Sequence, residues 1–338
     1  MKKHVGLLFF IPLLGMFSCL KDEVITSAGG KIREYYVAAE VTLWDYAPSN
    51  EDLIHGGVIP APWTDSHIFN KILYVEYTDK TFSVKKQKPE WLGLMGPIIR
   101  GEVGDSILVH FYNKTHLGPD SLKLALTVHP HGVNYDKTGE GAHYGPVTFP
   151  GSMVMPGEKY TYRWFADEDA GPGPSEGSSR CWWYHSHIDE PLETNLGLLG
   201  ALVINRKGMS KPDGTPKDVD KEFLTMYMVF DELGGEEAGL MHGINGYIFG
   251  NLQGLVAKKG DKVRWYLMAM GNEIDLHTPH WHGQTITVNG THTDVEELLP
   301  GSMETADMVC DNPGTWLMHC HVADHISAGM VTTFTVEP

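Results

Sequence analysis

Four His-x-His pairs punctuate the chain: His129/His131, His185/His187, His280/His282 and His319/His321. Alternate side chains of an extended strand share one face, so each pair presents two imidazoles to the same side. The pairs alone fit copper, zinc, iron or nickel. Cys320 narrows the choice. It lies between His319 and His321, on the opposite face of the same strand, with His325 and Met330 downstream and His277 three residues before His280. His277, Cys320, His325 and a weak axial Met330 supply the two-imidazole, one-thiolate, one-thioether set of a blue copper electron-transfer site. Structural zinc sites are closed four-ligand sets with different spacing.

These groups fall at equivalent places in an internal repeat. In the first half Gly104-Asp105 is followed by His129-Pro130-His131-Gly132, Pro156-Gly157, and Trp182 three residues before His185. In the second half Gly260-Asp261 is followed by His280-Trp281-His282-Gly283, Pro300-Gly301, and Trp316 three residues before His319. The elements between them are short, β-branched and aromatic: Ile107 to Tyr112, Lys159 to Phe165, Val263 to Leu267, Met330 to Val336. Such runs, bounded by Gly, Pro, Asn and Asp, predict an all-β chain of two Greek-key sandwich domains in tandem. The polar stretch from Lys207 to Asp220 reads as the connection. The expected organisation is domain 1 over 32–207, a linker over 208–220 and domain 2 over 221–338.

A chain of 338 residues with 42% hydrophobic and 20% charged residues is long enough for two packed cores and too apolar for disorder. Its net charge of −17 gives no footing for a phosphate backbone, which argues against nucleic acid as a partner and favours small cations. Residues 1–23 read as a signal peptide: Met1, Lys2 and Lys3 precede an apolar run from Val5 to Phe17 that is too short to span a bilayer. Cys19 after Ser18 is similar to a bacterial lipoprotein acceptor, so an exported protein at the periplasm or cell surface, lipid-anchored at its N-terminus, is expected. Cys181 and Cys310 are then an even pair in a disulfide-permissive setting, either bridged or present as two buried thiols.

HTPHWHG (277–283) and HCHVADHISAGM (319–330) resemble the copper signatures of multicopper oxidases. GPIIRGEVGDSILVHFYNK (96–114), YHSHIDEP (184–191), INGYIFGNLQGL (244–255) and GNEIDLHTPHWHG (271–283) are similar to the ceruloplasmin branch, and the likeness covers most of the chain after about residue 33. The resemblance implies cupredoxin-like domains and four coppers per chain. His129 and His280 would hold the type 2 ion. His131, His185, His187, His282, His319 and His321 would hold the type 3 pair. His277, Cys320, His325 and Met330 would hold type 1. In the first half Leu126, Ser186, Pro191 and Leu196 stand where the type 1 ligands stand in the second. Only domain 2 is therefore expected to carry a blue site. Ceruloplasmin-like rings close with six such domains, which implies a homotrimer with each cluster shared between subunits. Tyr135 matches a tyrosine near the type 2 ion, either a redox buffer or a packed aromatic.

For the electron donor, Glu237, His242 and Asp324 match the iron-holding residues of ceruloplasmin-type ferroxidases. The expected activity is oxidation of Fe²⁺ or another metal ion coupled to reduction of dioxygen to water. Two alternatives stay open at this level: laccase-like oxidation of phenols and aromatic amines, and a non-catalytic copper-binding electron carrier.

Overall fold

The computed structural model describes residues 29–338; the signal-peptide reading and Cys19 lie outside the described residues. Two pairs of sheets build the molecule. In the first half one sheet takes Ile32–Asp45, Ile68–Tyr77, Ser106–Asn113 and Lys159–Phe165, and the other takes Ile99–Glu102, His129–Pro130, Ser179–His185 and Leu199–Asn205. The second half repeats the plan: Lys221–Asp231, Leu240–Ile244, Lys262–Ala269 and Met303–Val309 lie in one sheet, and Val256–Lys258, Pro279–Trp281, Gly314–Cys320 and Val331–Glu337 in the other. Both halves are cupredoxin-like sandwiches. The four β-branched runs singled out in the sequence are strands, and helix is confined to short turns such as Glu190–Asn195 and Ala323–Ser327. Among the described residues no helix is long and apolar enough to cross a membrane.

The repeat extends to strand direction. Ile32–Asp45 pairs parallel with Ser106–Asn113 and antiparallel with Ile68–Tyr77. Lys221–Asp231 does the same with Lys262–Ala269 and Leu240–Ile244. Each half buries its own inward-facing residues, Ile107, Phe111, Tyr162 and Trp164 in the first and Trp265, Trp281, Leu267 and Phe334 in the second. A third core joins them, where Tyr46, Trp63, Met95 and Trp183 of the first half pack on Met226, Phe230, Met241 and Met268 of the second. Burying side chains of this size excludes water from the junction and stabilises one arrangement of the two sandwiches.

The stretch 208–220 is folded against this junction. Glu102 accepts hydrogen bonds from the backbone N–H groups of Gly208 and Ser210, and Asp218 pairs with Arg264, whose side chain is fully buried. Cys181 and Cys310 do not form a disulfide. Both are buried free thiols, Cys181 against the Met268 sulfur at 3.5 Å in the joining core and Cys310 in the core of the second half. Cys181 lies on the strand Ser179–His185 and Cys310 directly after the strand Met303–Val309, and their side chains enter different cores, which corrects the bridged reading.

Candidate metal centres and substrate pocket

In the first half the strand pairing sets His129 opposite His185. The His131 backbone N–H is tied to the Trp183 carbonyl at 2.8 Å. His129, His131, His185 and His187 thereby become ring neighbours, with centroids 4.9–5.5 Å apart. Two of the rings are fixed from behind: His129 Nδ1 donates to the Glu140 carbonyl at 2.6 Å and His185 Nδ1 to the Ser186 carbonyl at 2.9 Å. That leaves each Nε2 unprotonated and aimed inward. His131 Nε2 and His185 Nε2 face each other at 3.0 Å. Burial first, and then the neighbouring imidazoles, hold His131 down to about 4. Burial holds His185 down to about 3, so both rings are neutral donors at physiological pH.

The second half builds the same group. His280 stands opposite His319, the His282 backbone N–H bonds the Leu317 carbonyl at 2.9 Å, and His319 Nδ1 donates to the Cys320 carbonyl at 2.8 Å. His282 Nε2 and His319 Nε2 face each other at 3.1 Å. His280 and His321 complete the set, at ring-centroid distances of 4.9–5.5 Å. Each group is partly open at the surface: His129, His131 and His187 are half-buried in the first half, and His321 is exposed in the second. Tyr135 lies 6.0 Å from the His129 ring.

Behind the second group, on the opposite strand face, Cys320 Sγ lies 3.6 Å from His325 Nδ1 and 4.0 Å from His277 Nδ1, and the two ring nitrogens are 3.1 Å apart. All three residues are buried. Burial pushes the Cys320 thiol up, but hydrogen bonds with His277 and His325 and from the Thr278 N–H more than offset it, lowering it to about 6 and favouring a thiolate. Met330 is fully buried in the same core, and its carbonyl accepts from the Cys320 N–H at 3.1 Å. In the first half the Thr127 N–H donates to Ser186 Oγ at 3.0 Å, as Thr278 N–H does to Cys320 Sγ at 3.4 Å. One backbone bond is thus conserved across the repeat while the thiolate is not.

Glu237, His242 and Asp324 line a single cleft of about 400 Å³ with His325. Glu237 and Asp324 are exposed carboxylates, whereas His242 is buried with its ring 5.1 Å from that of His325. Burial, and then the His325 charge, lower His242 to about 4, and its buried Nδ1 has no hydrogen-bond partner among the described residues. Trp63, Leu240 and Ile274 form the apolar side of the cleft. Sequence reasoning missed Trp63, which reaches this wall from the first half. It also missed Glu190, whose carboxylate comes within 3.4 Å of His187 Nε2 and 3.9 Å of His185 Nε2. The repeat carried a signal for Glu190, since it stands where Asp324 stands in the second half.

Residues 92–208 and 226–338 each match a family model described as multicopper oxidase. The chain belongs to the multicopper oxidase family. Among similar members, a human protein named Ferroxidase HEPHL1 is 34% identical over 376 aligned positions, covering 99% of this chain and 31% of the relative. Mouse hephaestin is 37% identical over 347, covering 90% and 28%. Human ceruloplasmin is 35% identical over 364, covering 97% and 33%. The chain thus spans about a third of the length of these relatives. Among solved structures, one titled as a multicopper oxidase aligns with a TM-score of 0.64 at 19% identity over 93% of both chains. A blue copper oxidase from Nitrosomonas europaea aligns with 0.59 at 22% identity over 90% of this chain and 86% of its own. Both speak for the fold. Family membership makes copper the resident metal and redox chemistry the class, and the donor set fits: converging imidazoles in two groups and a thiolate with two imidazoles in a third.

Proposed function

We propose that the chain is a ferroxidase-like multicopper oxidase that works as a homotrimer. The observation that carries the substrate reading is the cleft in which Glu237, His242 and Asp324 surround the edge of His325. Carboxylate oxygens favour Fe³⁺ over Fe²⁺, so a ferrous ion seated there would give up its electron more readily than one in water. His242 is neutral at working pH and offers a third donor without adding positive charge. His325 forms the inner wall of the cleft and is 3.6 Å from Cys320 Sγ. Cys320 is covalently joined to His319 and His321, which face the other side of the strand, so an electron reaching the thiolate has a short bonded route to both imidazoles. Bound copper would supply one-electron transfer at the thiolate set and reduction of dioxygen at the imidazole set, four ions per chain in all. The balance is four Fe²⁺, one O₂ and four protons to four Fe³⁺ and two waters.

Assembly follows from the two open imidazole groups. A type 2 plus type 3 cluster needs eight imidazoles, and each half offers four. A head-to-tail ring of three chains would set the His129 group of one copy against the His280 group of the next. Four coppers per chain, of which one is type 1, one type 2 and two type 3, then follow for the closed ring. Export through the N-terminal segment, with a lipid anchor at Cys19, belongs to the same reading.

A laccase-like activity is the second reading, favoured by the apolar wall of Trp63, Leu240 and Ile274. A non-catalytic electron carrier would need only the Cys320 set and would consume no oxygen. Steady-state oxygen uptake by copper-loaded protein with Fe²⁺, Cu⁺ and a phenol tests all three. Preference for the metal ions supports the proposal, preference for the phenol favours a laccase, and electron acceptance without oxygen uptake sinks both.

A further inference from the structure

Asp275 has no exposed surface, and nothing above uses it. Its Oδ1 lies 3.2 Å from His277 Nε2 and accepts the Val229 N–H at 2.7 Å, while Oδ2 accepts the Asn272 N–H at 2.8 Å. The Asp275 N–H closes the same turn onto the Asn272 carbonyl at 3.0 Å. The turn is shaped around the carboxylate: Gly271 has φ of +125°, and a Cβ there would sit 2.1 Å from Asp275 Oδ2.

His277 turns Nδ1 toward Cys320 and His325, so its Nε2 carries the proton and donates it to Asp275. His325 is held differently. Its neighbour on the cleft side is the neutral ring of His242, with no carboxylate in hydrogen-bond contact among the described residues. The internal repeat supplies a control. His129 corresponds to His280, so Leu126 corresponds to His277 and Leu124 to Asp275. The carboxylate is present in the half that has the imidazole and is an apolar side chain in the half that lacks it.

We infer that Asp275 is a positioning residue that fixes the His277 ring through its Nε2–H and lowers the reduction potential of the Cys320 centre. The inference rests on the blue-site reading of His277, Cys320 and His325. A buried carboxylate accepting from the ring N–H makes the opposite nitrogen a stronger donor, which stabilises the more highly charged, oxidised ion. The consequence for function is a bias toward easily oxidised donors. A ferrous ion held by carboxylates remains a competent donor to a centre of lowered potential, whereas phenols become poorer ones.

The test compares full-length, copper-loaded wild type with Asp275→Asn and Asp275→Leu. The Asn variant is expected to keep the blue band, with its redox midpoint shifted upward and copper held about 10–100-fold more weakly against a chelator. The ratio of phenol to Fe²⁺ turnover should rise in step. The Leu variant should show the larger shift and the greater copper loss. An Asn variant with wild-type midpoint and copper affinity would overturn the inference and leave Asp275 as a turn cap. Should the variants not fold, ¹⁵N-histidine-labelled wild type with cuprous copper gives a second reading. A slowly exchanging His277 Nε2–H supports the bond, and its free exchange overturns it. Absence of a blue band in loaded wild type would instead overturn the underlying site reading.

Discussion

The indole Nε1–H of Trp63 donates to the carbonyl of Leu240 at 2.9 Å, which pins a residue of the first sandwich onto the cleft of the second. The segment between Asp45 and Ile68 makes this crossing as a folded arm. Ile248 N–H bonds the Tyr46 carbonyl at 3.0 Å, Leu53 N–H bonds the Phe249 carbonyl at 3.0 Å, and Ser49 Oγ donates to Asn251 Oδ1 at 2.7 Å. Trp63 then packs on Phe249 with centroids 5.6 Å apart. The arm therefore shapes the cleft beside His325, and the two halves share that cleft as well as the joining core.

Replacing Trp63 by Ala should cost about 3–5 kcal/mol of stability, because a nearly buried aromatic in the joining core is removed and its hydrogen bond lost. It should also open the apolar side of the cleft while leaving Glu237, His242 and Asp324 in place. The expected outcome is a higher kcat/KM for bulky phenols relative to Fe²⁺ with an unchanged blue band. Denaturant unfolding and paired steady-state rates check it, and an unaltered ratio of the two rates would remove Trp63 from the specificity argument.

If the chain loads four coppers as the proposed trimer, Cys320→Ser should abolish the intense thiolate band and reduce copper from four to three per chain. A serine hydroxyl is a poor ligand for this ion, and Ser186 at the equivalent place in the first half already spends its oxygen on the Thr127 N–H. His319 and His321 keep their backbone positions, so type 2 and type 3 signals should persist. Metal analysis with electron paramagnetic resonance decides, and two or fewer coppers in the fully loaded wild type would contradict the stoichiometry.

Much of the architecture was legible because its signals are local. The strand runs are set by alternation and turn residues, and the His-x-His pairs need only an extended backbone to share a face. The repeat put the His-x-His pairs at equivalent places in the two halves, but which pair faces which, His129 against His185 and His280 against His319, is set by the strand register. The long-range partners were not legible. Nothing within the segment holding Trp63 says that it ends 177 residues away against Leu240. Asp275 reads as one more acidic residue until its burial and the nearby His277 ring are known. The thiols of Cys181 and Cys310 could not be assigned to separate cores from spacing, because which face each strand turns to which core is a tertiary property.

Arg264 offers a stability test away from the metal sites. Its fully buried guanidinium bonds Asp307 at 2.7 Å and Asp218 at 2.9 Å, joining the connecting stretch to the second sandwich. Burial pushes the Asp218 carboxyl up, but hydrogen bonds from Arg264 and Ser178 more than offset it, bringing it down to about 2. A carboxyl depressed below its unfolded value of about 3.9 adds stability that is complete above that pH and is lost as pH falls toward 2. Arg264→Leu strands two carboxylates without their partner and should cost about 3–5 kcal/mol near neutral pH. The deficit should shrink on acidification from about pH 4 to 2. Denaturant unfolding of both proteins across that range checks the sign, and a constant difference would show that the pairs do not carry the stability.

Asp324→Ala separates the substrate readings most directly. Asp324 lines the cleft with Glu237 and His242 and immediately precedes His325, whose Nδ1 faces Cys320. If Glu237, His242 and Asp324 seat the ferrous ion, the substitution removes a hard oxygen donor and a favourable negative charge together. Fe²⁺ oxidation should then fall at least tenfold, corresponding to the loss of about 1.4 kcal/mol or more of binding and transition-state stabilisation, while phenol oxidation changes little. Absorbance of the blue band should be unchanged, because Asp324 is exposed and its backbone remains in the short helix Ala323–Ser327. A laccase-like cleft predicts the reverse ordering, with iron oxidation unaffected and uncharged aromatics turned over somewhat faster at a less polar surface. Equal loss of both activities with a shifted blue band would mean that Asp324 acts by holding His325 in place. Rates for the two donors, measured on one preparation at matched copper content, distinguish these three outcomes.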